Sequence, residues 1–94
     1  EESFPSLTSA FISLLKEELA NSRIDLITFT SSSSVRNFAD MVAKDLTGAK
    51  IASIGPVTSR TIRDLGWQVD VEAKPHTSRG LVDGITNYYR NQLR

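Results

Sequence analysis

Ninety-four residues set the limit at one small domain, with a modest core for its surface. Eleven basic side chains balance eleven acidic ones, which excludes a global positive field for nucleic acid. The absence of Cys and a single His exclude disulfides, a thiol nucleophile, thiolate metal ligands and a multi-histidine zinc site within the chain, so no metal is expected. An apolar content of 39% fits a folded chain rather than a disordered one. No apolar run approaches the roughly 20 residues of a membrane span and no signal-peptide pattern opens the chain, so no membrane partner and a cytoplasmic setting are expected. The first residue is Glu1 and Met41 is the only methionine, which reads as a processed product, a cloned piece or part of a longer protein.

In chain order, Leu7, Phe11, Leu14, Leu15 and Leu19 recur at helical steps, with Asn21 as a left-handed stop. Residues 24–29 are β-branched and aromatic and predict a buried strand, with Asp25 near its start. The next helix is predicted from about Ser34 to Leu46, its inner stripe being Val35, Phe38, Met41, Val42 and Leu46, with Gly48 at its C′ position. A short strand at 51–54 leads into Gly55-Pro56, with Pro56 suited to a first helical turn and Gly66 closing that helix. Residues 67–71 alternate and predict a third strand, with Trp67 packing at its start. After a loop at 74–76, Thr77 caps a last helix carrying Leu81, Val82, Ile85, Tyr89 and Leu93.

The order α-β-α-β-α-β-α predicts one α/β domain over 1–94, with a three-layer parallel sheet of flavodoxin-like type. Three strands are few for such a sheet, so strands are expected to be missing from this chain. An exposed edge would then invite self-association.

One unit is written twice: an apolar strand running into a small-polar loop that opens a helix. The loops are Thr30-Ser31-Ser32-Ser33-Ser34 and Gly55-Pro56-Val57-Thr58. Parallel α/β sheets bind ligands at the carboxyl ends of their strands, and helix N-termini there favour anions. The candidate binding residues are therefore Ser31, Ser32, Ser33, Gly55, Pro56, Val57 and Thr58, for a ligand carrying carboxylates or phosphates. No catalytic pair is visible. Each loop also has a plain structural reading as a helix cap, which for the serine run in isolation is the stronger one, and capping and binding can coexist. Thr58 divides evenly between the two readings. Thr77 reads as a cap, His76 as a solvated loop residue near the same rim, and Arg60, Arg63 and Arg79 as surface charges able to assist carboxylates.

The ordered series from Phe29-Thr30-Ser31 through Ile54-Gly55-Pro56-Val57-Thr58 and Leu65-Gly66 to Thr77-Ser78-Arg79-Gly80-Leu81-Val82 resembles the carboxyl-terminal part of uroporphyrinogen-III synthases. Each motif is weak; their order and spacing are specific. Ser32 stands where that family commonly has Pro, and the tyrosine often discussed there as an acid lies upstream of the matched region, so Tyr88 and Tyr89 do not match it. The resemblance implies a HemD-like half-domain, part of a two-domain protein that holds its substrate between domains. It also implies a cofactor-free reaction, in which hydroxymethylbilane closes to uroporphyrinogen III with inversion of its last ring and loss of water. That substrate is a linear tetrapyrrole polycarboxylate, which matches the anionic ligand inferred from the loops.

Two other readings bear on the same rim. A non-catalytic flavodoxin-like module for a phosphate- or carboxylate-bearing ligand is compatible with the serine loop. It lacks the glycine and threonine pattern of a flavin phosphate site, and the dinucleotide and triphosphate fingerprints are absent too. A receiver-like signalling domain would need acidic side chains at the strand ends, where Phe29-Thr30-Ser31 and Ile54-Gly55 stand instead.

Overall fold

The computed structural model describes residues 13–42, 46 and 48–92. A helix over residues 13–20 (α1) precedes β1 (Leu26–Phe29), α2 (Ser32–Met41), β2 (Lys50–Ser53), α3 (Pro56–Asp64), β3 (Val71–Glu72) and α4 (Ser78–Gln92). The strands are parallel in the order β1-β2-β3, with Ile27 beside Ile51 and Ala52 beside Val71. A sheet that grows in one direction through right-handed crossovers carries its connecting helices on one face. The packing agrees: α2 and α3 lie against each other, while α4 covers β2 and β3. The fold is a three-layer α/β arrangement.

Two apolar clusters fill the layers. Phe29, Val35, Leu46, Ile51 and Ile62 form the core under α2 and α3, and Ala52, Val71, Ala73 and Leu81 form the one under α4. Strand alternation divides β2 between them, sending Ile51 to the first cluster and Ala52 to the second. Trp67 stacks on Phe29 at 6.3 Å between ring centres, and Phe38 meets both rings edge-on. Such offset and edge contacts suit the ring quadrupoles.

Both α1 and α3 end in the same local chemistry. Ser22 (φ 57°) follows α1, with Ser22 N–H donating to Leu19 O and Arg23 N–H to Glu18 O. Gly66 (φ 88°) follows α3, with Gly66 N–H donating to Arg63 O and Trp67 N–H to Ile62 O. These paired bonds around a left-handed residue satisfy carbonyls the helix leaves open. The left-handed residue after α1 is thus Ser22, one position later than the expected Asn21.

Several boundaries differ from the sequence expectation, the second strand by one residue, at Lys50–Ser53 instead of 51–54, and others by more. The first strand is confined to Leu26–Phe29, although Asp25 O still accepts from Lys50 N–H. Helix α2 spans Ser32–Met41 instead of running to Leu46: Val42 is extended (φ −121°, ψ 159°), and Gly48 (φ 85°) lies in the turn before β2. Val42 and Leu46 are buried as expected, but outside the helix, because apolar spacing reports burial rather than backbone shape. The third strand is reduced to Val71–Glu72. Trp67 is taken up in the α3 terminus, and the Asp70 carboxylate accepts Ile51 N–H at 2.8 Å, a side chain standing where a strand would offer backbone.

On α4, Leu81, Ile85 and Tyr88 face the sheet, whereas Val82, expected inside, is 60% exposed. Leu14 of α1 is likewise exposed and Leu19 buried; Leu7, Phe11 and Leu93 lie outside the described residues.

The Tyr89 hydroxyl is buried without a hydrogen-bond partner among the described residues. Loss of water raises its pKa above the ordinary tyrosine value, and the charges of Asp25, Tyr88 and Asp70 push the same way. The folded chain therefore holds that proton more tightly than the unfolded one. The corresponding stability is complete below the ordinary tyrosine pKa and is lost as pH rises past about 10. Tyr89→Phe removes the orphaned group and is expected to stabilise the fold by about 1 kcal/mol, seen as a Tm rise of roughly 4–8 °C. The loss of Tm above about pH 10 should also flatten in this variant, measured by thermal melts across the alkaline range.

Candidate functional site

The two small-polar loops lie side by side at the carboxyl ends of β1 and β2, but they differ in how their hydrogen bonds are used. In the first, Ser31 is the N-cap of α2 in extended backbone, and its Oγ accepts Ser34 N–H at 3.1 Å. Ser34 Oγ donates back to Ser31 O at 2.7 Å, and Ser33 Oγ lies 3.2 Å from Ser31 Oγ. Ser32 faces the second loop: its Oγ donates to Val57 O at 3.2 Å and accepts from Thr61 Oγ1 at 2.9 Å. The hydroxyls of this loop are bonded within the protein and one N–H of the helix end is capped by a side chain, so the capping reading describes Ser31 well.

The second loop is open. Gly55 is the N-cap of α3 and supplies no side chain to cap it, and Pro56 at the first helical position has no N–H. The first intrahelical bond runs from Ser59 N–H to Gly55 O at 2.9 Å. The N–H groups of Val57 and Thr58, in the first turn, are left without an intrahelical acceptor and carry the positive end of the helix dipole. Thr58 is 4% exposed, yet among the described residues no partner bonds its hydroxyl. Val57 is 76% exposed.

A cavity of about 200 Å³ opens beside this turn, lined by Ile54, Gly55, Pro56, Val57, Thr58 and His76. Four of the seven residues singled out by sequence line it. Ser31, Ser32 and Ser33 do not, and are joined to it through Ser32, which bonds Val57 O and Thr61 Oγ1. His76, expected to be merely solvated, is exposed but forms one wall: a Cβ on Gly55 would sit 3.2 Å from its Cγ. The sequence signal for His76 was its place after the third strand, on the same rim.

The loop bearing His76 is held at both ends of its turn. Thr77 N–H donates to Pro75 O at 2.8 Å, and Thr77 Oγ1 caps α4 by accepting Gly80 N–H at 3.0 Å. The described residues hold no cluster of three His, Asp or Glu side chains placed for a metal ion. Arg60, Arg63 and Arg79 are exposed on α3 and α4.

A second cavity, about 250 Å³, lies at the opposite rim among Lys50, Trp67, Gln68 and Asp70. Its carboxylate is already occupied by Ile51 N–H and by Gln68 Nε2 at 3.2 Å. The rim at the strand carboxyl ends, with its open donors, is the stronger candidate despite the smaller volume.

The model of the family described as uroporphyrinogen-III synthase HemD matches residues 7–83. The chain belongs to the uroporphyrinogen-III synthase family. A protein of Synechococcus elongatus named uroporphyrinogen-III synthase is 41% identical over 80 residues, covering 77% of this chain and 30% of that protein. One of Chlorobaculum parvum with the same name is 36% identical over 59 residues, 61% of this chain and 24% of the other. The chain thus spans about a third or less of the length of these relatives. No solved structure matches it at a significant level. The family match encloses the whole β1–α4 rim up to Asp83, so both loops and His76 belong to the matched region.

Gly80 explains how the His76 loop comes so close to α4. A Cβ there would lie 2.0 Å from Pro75 O, a backbone atom with no way to swing aside. Gly80→Ala is expected to destabilise the fold by about 3 kcal/mol and to displace the His76 wall. Gly55→Ala, where φ is 179° and an exposed side chain can yield, should cost less than about 1 kcal/mol. Urea unfolding of the two variants tests that order.

Proposed function

We propose that this chain is the carboxyl-terminal part of a uroporphyrinogen-III synthase, acting in the cytoplasm without a cofactor on hydroxymethylbilane. One observation beyond family membership supports the placement of the substrate. It is the uncapped first turn of α3, where Val57 and Thr58, with their open N–H groups and a Thr58 hydroxyl unbonded among the described residues, line one cavity.

The substrate's acetate and propionate arms are carboxylates. Backbone N–H groups and a hydroxyl hold carboxylate without a strongly basic protein, in keeping with the balanced charge. In the reaction the hydroxyl of the terminal hydroxymethyl group leaves as water, and its methylene carbon stays behind as part of an electron-poor azafulvene. Closure occurs at the substituted carbon of the last ring through a spirocyclic intermediate, and that ring ends inverted. The protein's task is to hold the chain so that this carbon, rather than the free position, meets the electrophile. Such catalysis works through positioning and needs no strong acid or base. Gly55, Pro56, Val57 and Thr58 would grip a carboxylate arm, with Ser31, Ser32 and Ser33 bracing the neighbouring loop and offering hydroxyls at its edge.

The test is a hybrid enzyme, in which the 80 matched residues of the Synechococcus elongatus relative are replaced by those of this chain. Hydroxymethylbilane is supplied and the uroporphyrin isomers are separated after oxidation. Type III in excess of the spontaneous type I product is the expected result. Only type I from a folded hybrid would leave a lookalike module that binds anions without turning them over. Thr58→Val in the active hybrid should lower kcat/KM about tenfold, the loss of one hydrogen bond to a charged group.

The 94-residue chain alone is expected to give only type I, since most of the length of its relatives is absent from it. Its β1 and β3 each pair on one side only among the described residues, and parallel edges of this kind accept further strands. Self-association through such an edge should appear as a concentration-dependent rise in mass by light scattering; a monomer at high concentration would count against it.

A further inference from the structure

Beneath the candidate cavity lies a buried polar chain that the proposed chemistry does not use directly. Ser53, the last residue of β2, and Ser59, in α3, are both fully buried. Gly55 N–H donates to Ser53 Oγ at 3.3 Å, and Ser53 Oγ donates to Gly55 O at 2.9 Å. Ser59 Oγ has one proton and two acceptors beside it, Ser53 Oγ at 2.8 Å and Glu72 Oε1 at 2.6 Å. Glu72 is the last residue of β3. The chain therefore starts on β3, passes through α3 and β2, and ends on both backbone groups of Gly55.

We propose that Ser53, Ser59 and Glu72 are positioning residues, which fix the Gly55 backbone and so aim the open N–H groups of Val57 and Thr58 into the cavity. This inference rests on the functional reading above and goes beyond it. None of the three side chains lines the cavity, so their effect on a ligand passes through Gly55. Glycine has the widest backbone freedom of any residue, and here it holds φ 179° and ψ −176° directly before the helix. A rotation at Gly55 would swing the whole first turn. The Ser53 hydroxyl clamps the peptide groups on both sides of that rotation, and Ser59 with Glu72 sets the place of the Ser53 hydroxyl. Packing alone does not call for this arrangement. Two alanines would fill nearly the same core volume without a buried polar group to satisfy, whereas a buried polar network ties its members to one geometry.

The experiment has two arms. In the 94-residue chain, amide hydrogen exchange is followed for Gly55, with Ile62 in the same helix as the control for folding. Ser59→Ala is expected to speed Gly55 exchange about tenfold and leave Ile62 unchanged. In the hybrid enzyme with hydroxymethylbilane, Ser59→Ala and Glu72→Ala are expected to raise KM about fivefold with kcat within about twofold. Glu72→Gln, whose amide oxygen still accepts the Ser59 proton, should restore KM to near the unsubstituted value. A merely structural role would speed Ile62 and Gly55 exchange together and would show no rescue by Gln. Unchanged Gly55 exchange in Ser59→Ala overturns the proposal, as does an unchanged KM. A hybrid that makes only type I isomer defeats the functional reading instead, and the exchange arm still decides whether the network holds Gly55.

Discussion

The central strand constrains everything else in this fold. β2 has a strand on each side and a helical layer on each face, and Ile51, Ala52 and Ser53 are all buried. Because its alternate side chains feed two different clusters, a slip of one residue in its register would put an alanine where one layer holds Ile51 and an isoleucine where the other holds Ala52. That register also decides where the strand stops, and hence where Gly55 turns into α3. The position of the cavity follows from the packing of a four-residue strand.

The two loops at the strand ends look alike in sequence and behave differently. Ser31 carries an oxygen that takes up a free N–H of its helix, so the first loop closes on itself and then reaches across to α3 through Ser32. Gly55 carries none, and Pro56 removes a donor without supplying an acceptor, so the second loop leaves its remaining donors to the cavity. A serine-rich loop is conspicuous in a sequence because hydroxyls suggest binding. One of the same hydroxyls, that of Ser31, is also what caps the helix end from inside.

Much of the fold could be read from the residues alone. The alternation of apolar strands with capped helices identified the parallel sheet, and Pro56, Gly66 and Thr77 marked helix ends where the structure has them. The third strand is shorter than its alternation suggests because other bonds stand in for part of the ladder. Asp70 bonds Ile51 N–H and Trp67 closes α3, which together shorten a segment whose alternation resembles a strand. Of the cavity, the Gly55–Thr58 stretch was visible, since its residue types belong to a helix start. The Ser53–Ser59–Glu72 chain was not, because those residues sit on three elements and only the fold brings them within hydrogen-bond distance. Ser53 in an otherwise apolar strand was the single hint.

Ser32 stands where the family commonly has proline, and its two bonds to Val57 O and Thr61 Oγ1 change the kind of stiffness the loop possesses. A pyrrolidine ring restricts its own residue through covalent geometry, whether or not the rest of the protein is folded. A hydroxyl restricts its loop only while α3 is in place to receive it. The part of the loop's rigidity that comes from Ser32 therefore requires both helices to be in place. It also makes the loops mechanically dependent on each other: a ligand that tightened α3 would tighten the serine loop, without touching it.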